Sequence, residues 1–240
     1  GKLQRETDPE SLQTSVDQIL PYDGESLAGS TRLISLKDVD YTIHGVDVLR
    51  NVSMDVMEGE RLTLLGPNGC GKTTPMKIIA RLLYPSAGGY EQHLIRSQRV
   101  HPMPEWFRKA GFIYQDPSSQ LFMPSLREEI GRNAASQDRA ERMIAMFGLQ
   151  GLEDRHPQSL SEGQKRRAGV AAICASNPHV LFLDEPTVGQ DFFHLRQMVE
   201  SLRILQKESS CAIVTVTHDK RCKEALSDRR IIMKAGRIIR

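Results

Sequence analysis

The run Gly66-Pro67-Asn68-Gly69-Cys70-Gly71-Lys72-Thr73 satisfies G-x-x-x-x-G-K-[ST] in full, and it limits the fold more than any other feature of the chain. Glycines are needed where backbone N–H groups wrap an anion in conformations that a Cβ would obstruct. Arg61 to Leu65, just before the run, reads as a strand; Lys72 to Leu83, after it, carries Ile78, Ile79, Leu82 and Leu83 at helical spacing. Strand, glycine turn and helix in that order predict a phosphate cradle closed by a helix N-terminus. There Lys72 would reach β- and γ-phosphates and Thr73 would ligate Mg²⁺.

Around this unit the pattern changes twice. Leu33 to Tyr41 and Val46 to Val56 alternate with a period near two, which predicts an antiparallel β lobe. Ala110 to Tyr114, Val180 to Leu183 and Ala212 to Val216 are short apolar runs, as expected for strands buried on both faces. Ser125 to Asp154 reads as helices, with Ile130 on the first and Met143, Ile144, Phe147 and Leu149 on the second. Gln164 to Ser176 and Phe192 to Lys207 also read as helices, and Arg230 to Ile239 reads as a hairpin turning at Ala235 and Gly236. Strands alternating with helices predict an α/β fold with a parallel sheet, helices on both faces, and ligands outside the carboxyl ends of the strands. Four runs end respectively in the glycine turn, Gln115, Asp184-Glu185 and His218, so those groups are expected to share one edge.

A carboxylate at a strand end is often structural. Two beside a phosphate loop favour a division of labour, with Asp184 holding Mg²⁺ and Glu185 polarising an attacking water. Ser161 and Gln164 form an S-x-x-Q capping box, which leaves the N-terminus of the following helix pointing outward as a second phosphate site. The Lys165-Arg166-Arg167 cluster reads as a solvated helix face.

The order of these motifs resembles the nucleotide-binding domain of ABC transporters from about Leu33 to Arg240. The resemblance rests on Tyr41 as adenine-stacking aromatic, Gly66 to Thr74 as Walker A, Gln115 in the Q-loop, Leu160 to Gln164 as signature, Val180 to Asp184 as Walker B followed by Glu185, Val188 to Asp191 as D-loop, and His218 as switch histidine. The signature about twenty residues before Walker B is specific to this family. It implies an α/β P-loop NTPase core (residues 31–240) with a parallel sheet, an N-terminal antiparallel β lobe and an inserted helical subdomain at about 118–175; residues 1–30, polar and with Pro9, Pro21, Gly24 and Gly29, read as a linker or tail.

For the site, the resemblance implies ATP held by Tyr41, Gly66, Asn68, Gly69, Cys70, Gly71, Lys72, Thr73 and Thr74, and by Ser161, Gly163 and Gln164 facing a second ABC ATPase domain in a homodimer or heterodimer. Mg²⁺ falls to Thr73, Gln115 and Asp184; turnover falls to Glu185 as base, His218 at the γ-phosphate, Lys72 and Gln115. The Asp116-Pro117 turn would transmit the nucleotide state to integral membrane subunits, placing the chain in the cytoplasm at the inner face of the membrane. A bulky reagent on Cys70 is expected to block ATP.

Glu162 stands where glycine is usual and Gln190 where an apolar residue is usual; with Tyr114 to Phe122 they resemble the energy-coupling-factor branch, which drives uptake of vitamins and transition-metal ions. In that branch some ATPases carry two such domains, so residues 1–30 would be an interdomain linker, and many relatives continue past the equivalent of Arg240 into a dimerising tail. Pro75, where leucine is usual, would cost about 3 kcal/mol deep in a helix and little in its first turn; Pro75→Leu is expected to raise the melting temperature and strengthen ATP binding.

Composition narrows the alternatives. Among 240 residues, 39% are hydrophobic and 26% charged, enough for a buried core, and Lys+Arg 32 against Asp+Glu 30 leaves +2, less basic than a dedicated nucleic-acid binder. The longest apolar stretch, Ala168 to Ala175, is about half a membrane span, and residues 1–20 lack the apolar core of a secretory signal. Cys70, Cys174, Cys211 and Cys222 are widely spaced, which suits reduced thiols and no zinc site. A soluble ABC ATPase acting on ribosomes or DNA stays open as the alternative, although about forty-five residues between Gln115 and Ser161 leave no room for a long coiled coil. A P-loop kinase would have no use for the signature.

Overall fold

The computed structural model describes residues 28–93, 103–187 and 189–239. The first-turn hairpin is antiparallel as its alternation predicts: β1 (Arg32–Ile43) pairs with β2 (Val46–Met57), Tyr41 opposite Leu49. β4 (Ala87–Gln92) adds to the other edge of β1, giving the order β2-β1-β4. This third strand escapes sequence reading because Gly88 and Gly89 interrupt any apolar period. Gly88 has φ +93, and a Cβ there would lie 2.4 Å from the Asp38 carbonyl oxygen.

The second sheet contains β3 (Arg61–Leu65), β5 (Ala110–Ile113), β6 (Val180–Asp184), β7 (Ala212–Val216), β8 (Arg229–Lys234) and β9 (Arg237–Ile239), in the order β5-β6-β7-β3-β8-β9. Neighbours are parallel from β5 through β8, and β8–β9 is the antiparallel hairpin. Alternation along β6 assigns its faces: Val180 and Phe182 pack with the β lobe, Leu181 and Leu183 with a helical layer. The sheet therefore carries a core on each side. Helices do not cover both faces alone, as the α/β pattern predicts; the β lobe covers one of them together with α1 (Thr73–Ile79) and Trp106 from α2 (Met103–Lys109).

The opposite core joins α3 (Leu126–Gly131), α4 (Gln137–Met146), α5 (Glu162–Ala175) and α6 (Phe192–Ser209). α3, α4 and α6 start at Ser125, Ser136 and Asp191, each of which accepts a backbone N–H of its own first turn. A last short helix, α7 (Lys220–Ala225), precedes β8.

α1 stops at Ile79, short of the Leu83 that helical spacing predicts. Arg81 adopts φ 59, its N–H bonds the Ile78 carbonyl and the Leu82 N–H bonds the Lys77 carbonyl, a Schellman ending built on a non-glycine residue. Pro75 is the third residue of α1. Its missing N–H belongs to the set that has no intrahelical partner, so the cost of an internal proline does not arise. The leading segment 1–27 and Val188 of the D-loop lie outside the described residues.

Candidate functional site

β3 delivers the chain into the glycine loop with Gly66 at φ +149, where a Cβ would sit 2.2 Å from the Met233 carbonyl oxygen of β8 and 2.7 Å from Cys70 Sγ. Only glycine fits against that neighbouring strand. The loop is braced again from behind, because the Gly236 N–H bonds the Cys70 carbonyl at 3.0 Å. In front, Lys72 Nζ donates to the carbonyls of Gly66 and Pro67 at 3.0 and 2.8 Å, folding the ammonium over the loop.

Four adjacent parallel strands end beside this loop, and their following residues line one open cavity of about 530 Å³. It is bounded by Asn68, Gly69, Lys72, Thr73, Gln115, Asp184, Glu185 and His218, which sequence reading assigns to one edge, and also by Thr187, Val216 and Asp219. Thr73 Oγ1 donates to Asp184 Oδ1 at 3.2 Å. Asp184 is 6% exposed, and burial raises its pKa, opposed by the Thr73 hydrogen bond. Hydroxyl, buried carboxylate and the nearby Gln115 amide are hard oxygen donors, the set that Mg²⁺ takes together with phosphate oxygens. Among the described residues no cluster of three His, Cys, Asp or Glu could hold a metal unaided.

Glu185 sits just past β6 with φ 48, a left-handed conformation that few non-glycine residues adopt. Its N–H bonds the Val216 carbonyl at 2.8 Å, and its carboxylate contacts His218. Exposure differs within this pair: 14% for the Glu185 side chain, 49% for His218.

Other expected residues lie elsewhere. Gly66, Gly71 and Thr74 build the loop without lining the cavity. Cys70 is 8% exposed with its thiol turned under Gly66, which leaves a bulky reagent little access to it in the folded chain. Tyr41 is a partly buried residue of β1 and does not line the cavity; its partner Leu49 lies 3.3 Å from the position of a Gly71 Cβ, so Tyr41 stands one strand away from the loop.

Ser161, Gly163 and Gln164 also lie apart from the cavity, at the start of α5. The capping box is present: the Gln164 N–H donates to Ser161 Oγ at 3.3 Å and the Ser161 N–H to Gln164 Oε1 at 3.0 Å. Glu162, unusual at its position, is 3.0 Å from Lys165.

The basic cluster on α5 is not a solvated face. Arg166 and Arg167 are 4% and 3% exposed. Arg166 Nη1 donates to the Glu185 carbonyl at 2.8 Å and Nη2 to the Gln115 carbonyl at 2.7 Å. Arg167 Nε donates to the Phe147 carbonyl at 3.0 Å, and Nη1 donates to Gln190 Oε1 at 3.3 Å. Gln190 Nε2 in turn donates to the Gly163 carbonyl at 2.8 Å, tying the segment before α6 to the start of α5. The available signal was spacing: Arg166 and Arg167 lie one turn before Val170 and Ala171, which are wholly buried.

A family model described as ABC transporter matches residues 49–188. The energy-coupling factor transporter ATP-binding protein EcfA of Methanothermobacter thermautotrophicus is 31% identical over 220 residues, covering 86% of this chain and 70% of that protein. The chain spans 34% and 59% of the length of two other curated ABC ATP-binding relatives, matched at 33% and 34% identity. Among solved structures, cbiO1 from Clostridium perfringens, part of the ABC transporter complex cbiONQ, superimposes with TM-score 0.74 at 28% identity over 87% of both chains. The ATP-binding cassette MJ0796, a dimer in a post-hydrolysis state bound to ADP and Pi, gives TM-score 0.72 at 27% identity over 87% of this chain and 97% of that one.

Proposed function

Because this chain belongs to the ABC transporter family, we propose that it is an ATP-hydrolysing subunit, coupling MgATP binding, closure against a second ATPase domain and hydrolysis to the movement of integral membrane partners. The observation that carries this reading is the convergence of Lys72, Asp184, Glu185 and His218 on one cavity from three strand ends. ATP is the substrate, and water converts it to ADP and inorganic phosphate. Lys72 leaves its own loop carbonyls for the β- and γ-phosphates, while the backbone N–H groups of the glycine loop and the start of α1 take the remaining phosphate oxygens. Thr73, Asp184 and Gln115 hold Mg²⁺, which when bound neutralises phosphate charge. Glu185 accepts the proton of the attacking water, and His218, in contact with that carboxylate, orients it.

The Ser161 helix end lies outside this cavity, which supports a second ATPase domain whose nucleotide it would meet. Tyr41 is assigned to the adenine. The energy-coupling-factor resemblance of Glu162, Gln190 and Tyr114 to Phe122 supports micronutrient uptake, of a vitamin or a metal ion, at the inner face of the membrane, and likeness to EcfA and cbiO1 supports an ATP-binding role in a transporter complex of that kind. Among the described residues no helix is long and apolar enough to cross a membrane.

The test is a pull-down from membranes with Glu185→Gln held in ATP. Recovery of small integral membrane proteins supports the reading, and recovery of ribosomes or DNA overturns it in favour of a soluble ABC ATPase.

A further inference from the structure

α5 begins at the exposed Ser161 cap, and five residues later, about 7.5 Å along the axis, Arg166 points inward. Its guanidinium bonds two carbonyls that follow two different strands: Gln115 after β5 and Glu185 after β6. Arg166 Nε is buried and has no hydrogen-bond partner among the described residues. The side chain is thus committed to those two carbonyls.

We propose that Arg166 is a positioning residue that fixes Glu185 and Gln115 to the signature helix, so that a displacement at Ser161 reaches the hydrolytic carboxylate of the same subunit. Three observations support the assignment. The donors come from a rigid planar fork, which sets the two carbonyls relative to each other as a lysine ammonium cannot. Glu185 holds a strained φ of 48, and among the described residues its N–H bond to Val216 and its carbonyl bond from Arg166 tie its backbone down. The same helix is joined to the D-loop through Arg167 and Gln190, so the cap, the D-loop and the Glu185 turn share one rigid element.

This inference rests on the proposed function, in which Ser161 meets a nucleotide bound by a second ATPase domain. Under that reading α5 is the link between two sites: nucleotide at the helix N-terminus alters, through Arg166, the placement of Glu185 at the other site. Arg166 makes no hydrogen bond to Lys72, Thr73 or Asp184 and reaches the cavity through the backbone carbonyls of Gln115 and Glu185, so its loss costs turnover more than ATP affinity.

The experiment measures ATP dissociation constant, kcat per bound ATP and the Hill coefficient of turnover for the native chain, Arg166→Met and Arg166→Lys. The expected result is a dissociation constant within about twofold of native, kcat lower by about a hundredfold in Arg166→Met and less in Arg166→Lys, and a Hill coefficient falling toward one. Native kcat and Hill coefficient in both variants overturn the proposal, as does a loss confined to ATP affinity, which marks general loosening. Should Arg166→Met fail to fold, Arg166→Lys, which keeps the charge and a single donor group, decides by the same three readouts. A native chain that binds ATP without hydrolysing it removes the proposed function itself, a result distinct from a native chain whose cooperative turnover ignores Arg166.

Discussion

The carboxylate of Glu185 meets His218 twice: Oε2 accepts the His218 backbone N–H at 3.3 Å, and Oε1 lies 3.3 Å from the ring Nε2. The two residues follow β6 and β7, adjacent parallel strands, so the contact is a direct product of sheet order. Glu185→Gln should keep ATP binding and lower turnover by about 10²–10⁴-fold. Single-turnover hydrolysis beside equilibrium ATP binding checks this; turnover at the native rate would remove Glu185 from the proton transfer.

Asp184 gives a prediction of opposite sign for stability and binding. Burial raises its pKa, so the folded state favours the protonated acid, and the ionised form opposes folding once pH rises through the folded value. Near neutral pH, Asp184→Asn should raise the melting temperature of the nucleotide-free protein. It should also weaken Mg²⁺-dependent ATP binding by at least about tenfold. Thermal melts with and without MgATP separate the two effects.

Gly66 and Gly69 both have positive φ, yet they differ in surroundings. A Cβ at Gly66 meets the Met233 carbonyl at 2.2 Å, whereas a Cβ at Gly69 meets nothing within 4 Å. Gly69→Ala should cost about 1–2 kcal/mol of left-handed strain, and Gly66→Ala should cost more, since the loop or β8 must also shift. Denaturant midpoints of the two variants give the comparison.

The thiols set a limit at alkaline pH. Cys70, Cys174 and Cys211 are free and buried, and burial pushes Cys174 up to about 12 and raises Cys211 as well. Between the ordinary thiol value and these raised ones, the unfolded chain loses protons that the folded chain keeps. Stability should therefore fall as pH rises above about 9, by roughly 1 kcal/mol per pH unit for each of Cys174 and Cys211. Urea midpoints at pH 8 and 10 test the slope, and peptide mapping after maleimide treatment should find these three cysteines labelled only after denaturation.

Pro75→Leu should leave stability within about 0.5 kcal/mol of native, and the melting temperature nearly unchanged, because the third residue of α1 has no intrahelical bond to regain. A rise of several degrees would restore the view that the proline is costly.

Much of this architecture is legible along the chain because its parallel strands are buried on both faces and so stand out as short apolar runs. Val180 to Asp184 and Ala212 to Val216 need no tertiary information to be found, and the polar residues after them mark the rim. What sequence patterns miss depends on distant partners. β4 exists because Ala87–Gln92 pairs with β1, and α1 ends early because Arg81 accepts a left-handed turn. Arg166 and Arg167 look like a charged surface until the carbonyls of Gln115, Glu185 and Phe147 surround them. Thr187 joins the cavity for a similar reason: neighbouring strands bring it there, with no motif to announce it.

The hairpin of β8 and β9 has a bearing on biosynthesis. Met233 backs Gly66, and at the Ala235–Gly236 turn the Gly236 N–H holds the Cys70 carbonyl while its own carbonyl takes the Arg50 N–H. A ribosome makes residues 66–73 long before residues 229–239 emerge, so the nascent anion trap stays slack until its buttress arrives. Chains interrupted before residue 229 carry the whole glycine loop, residues 66–73, while lacking the wall that shapes it.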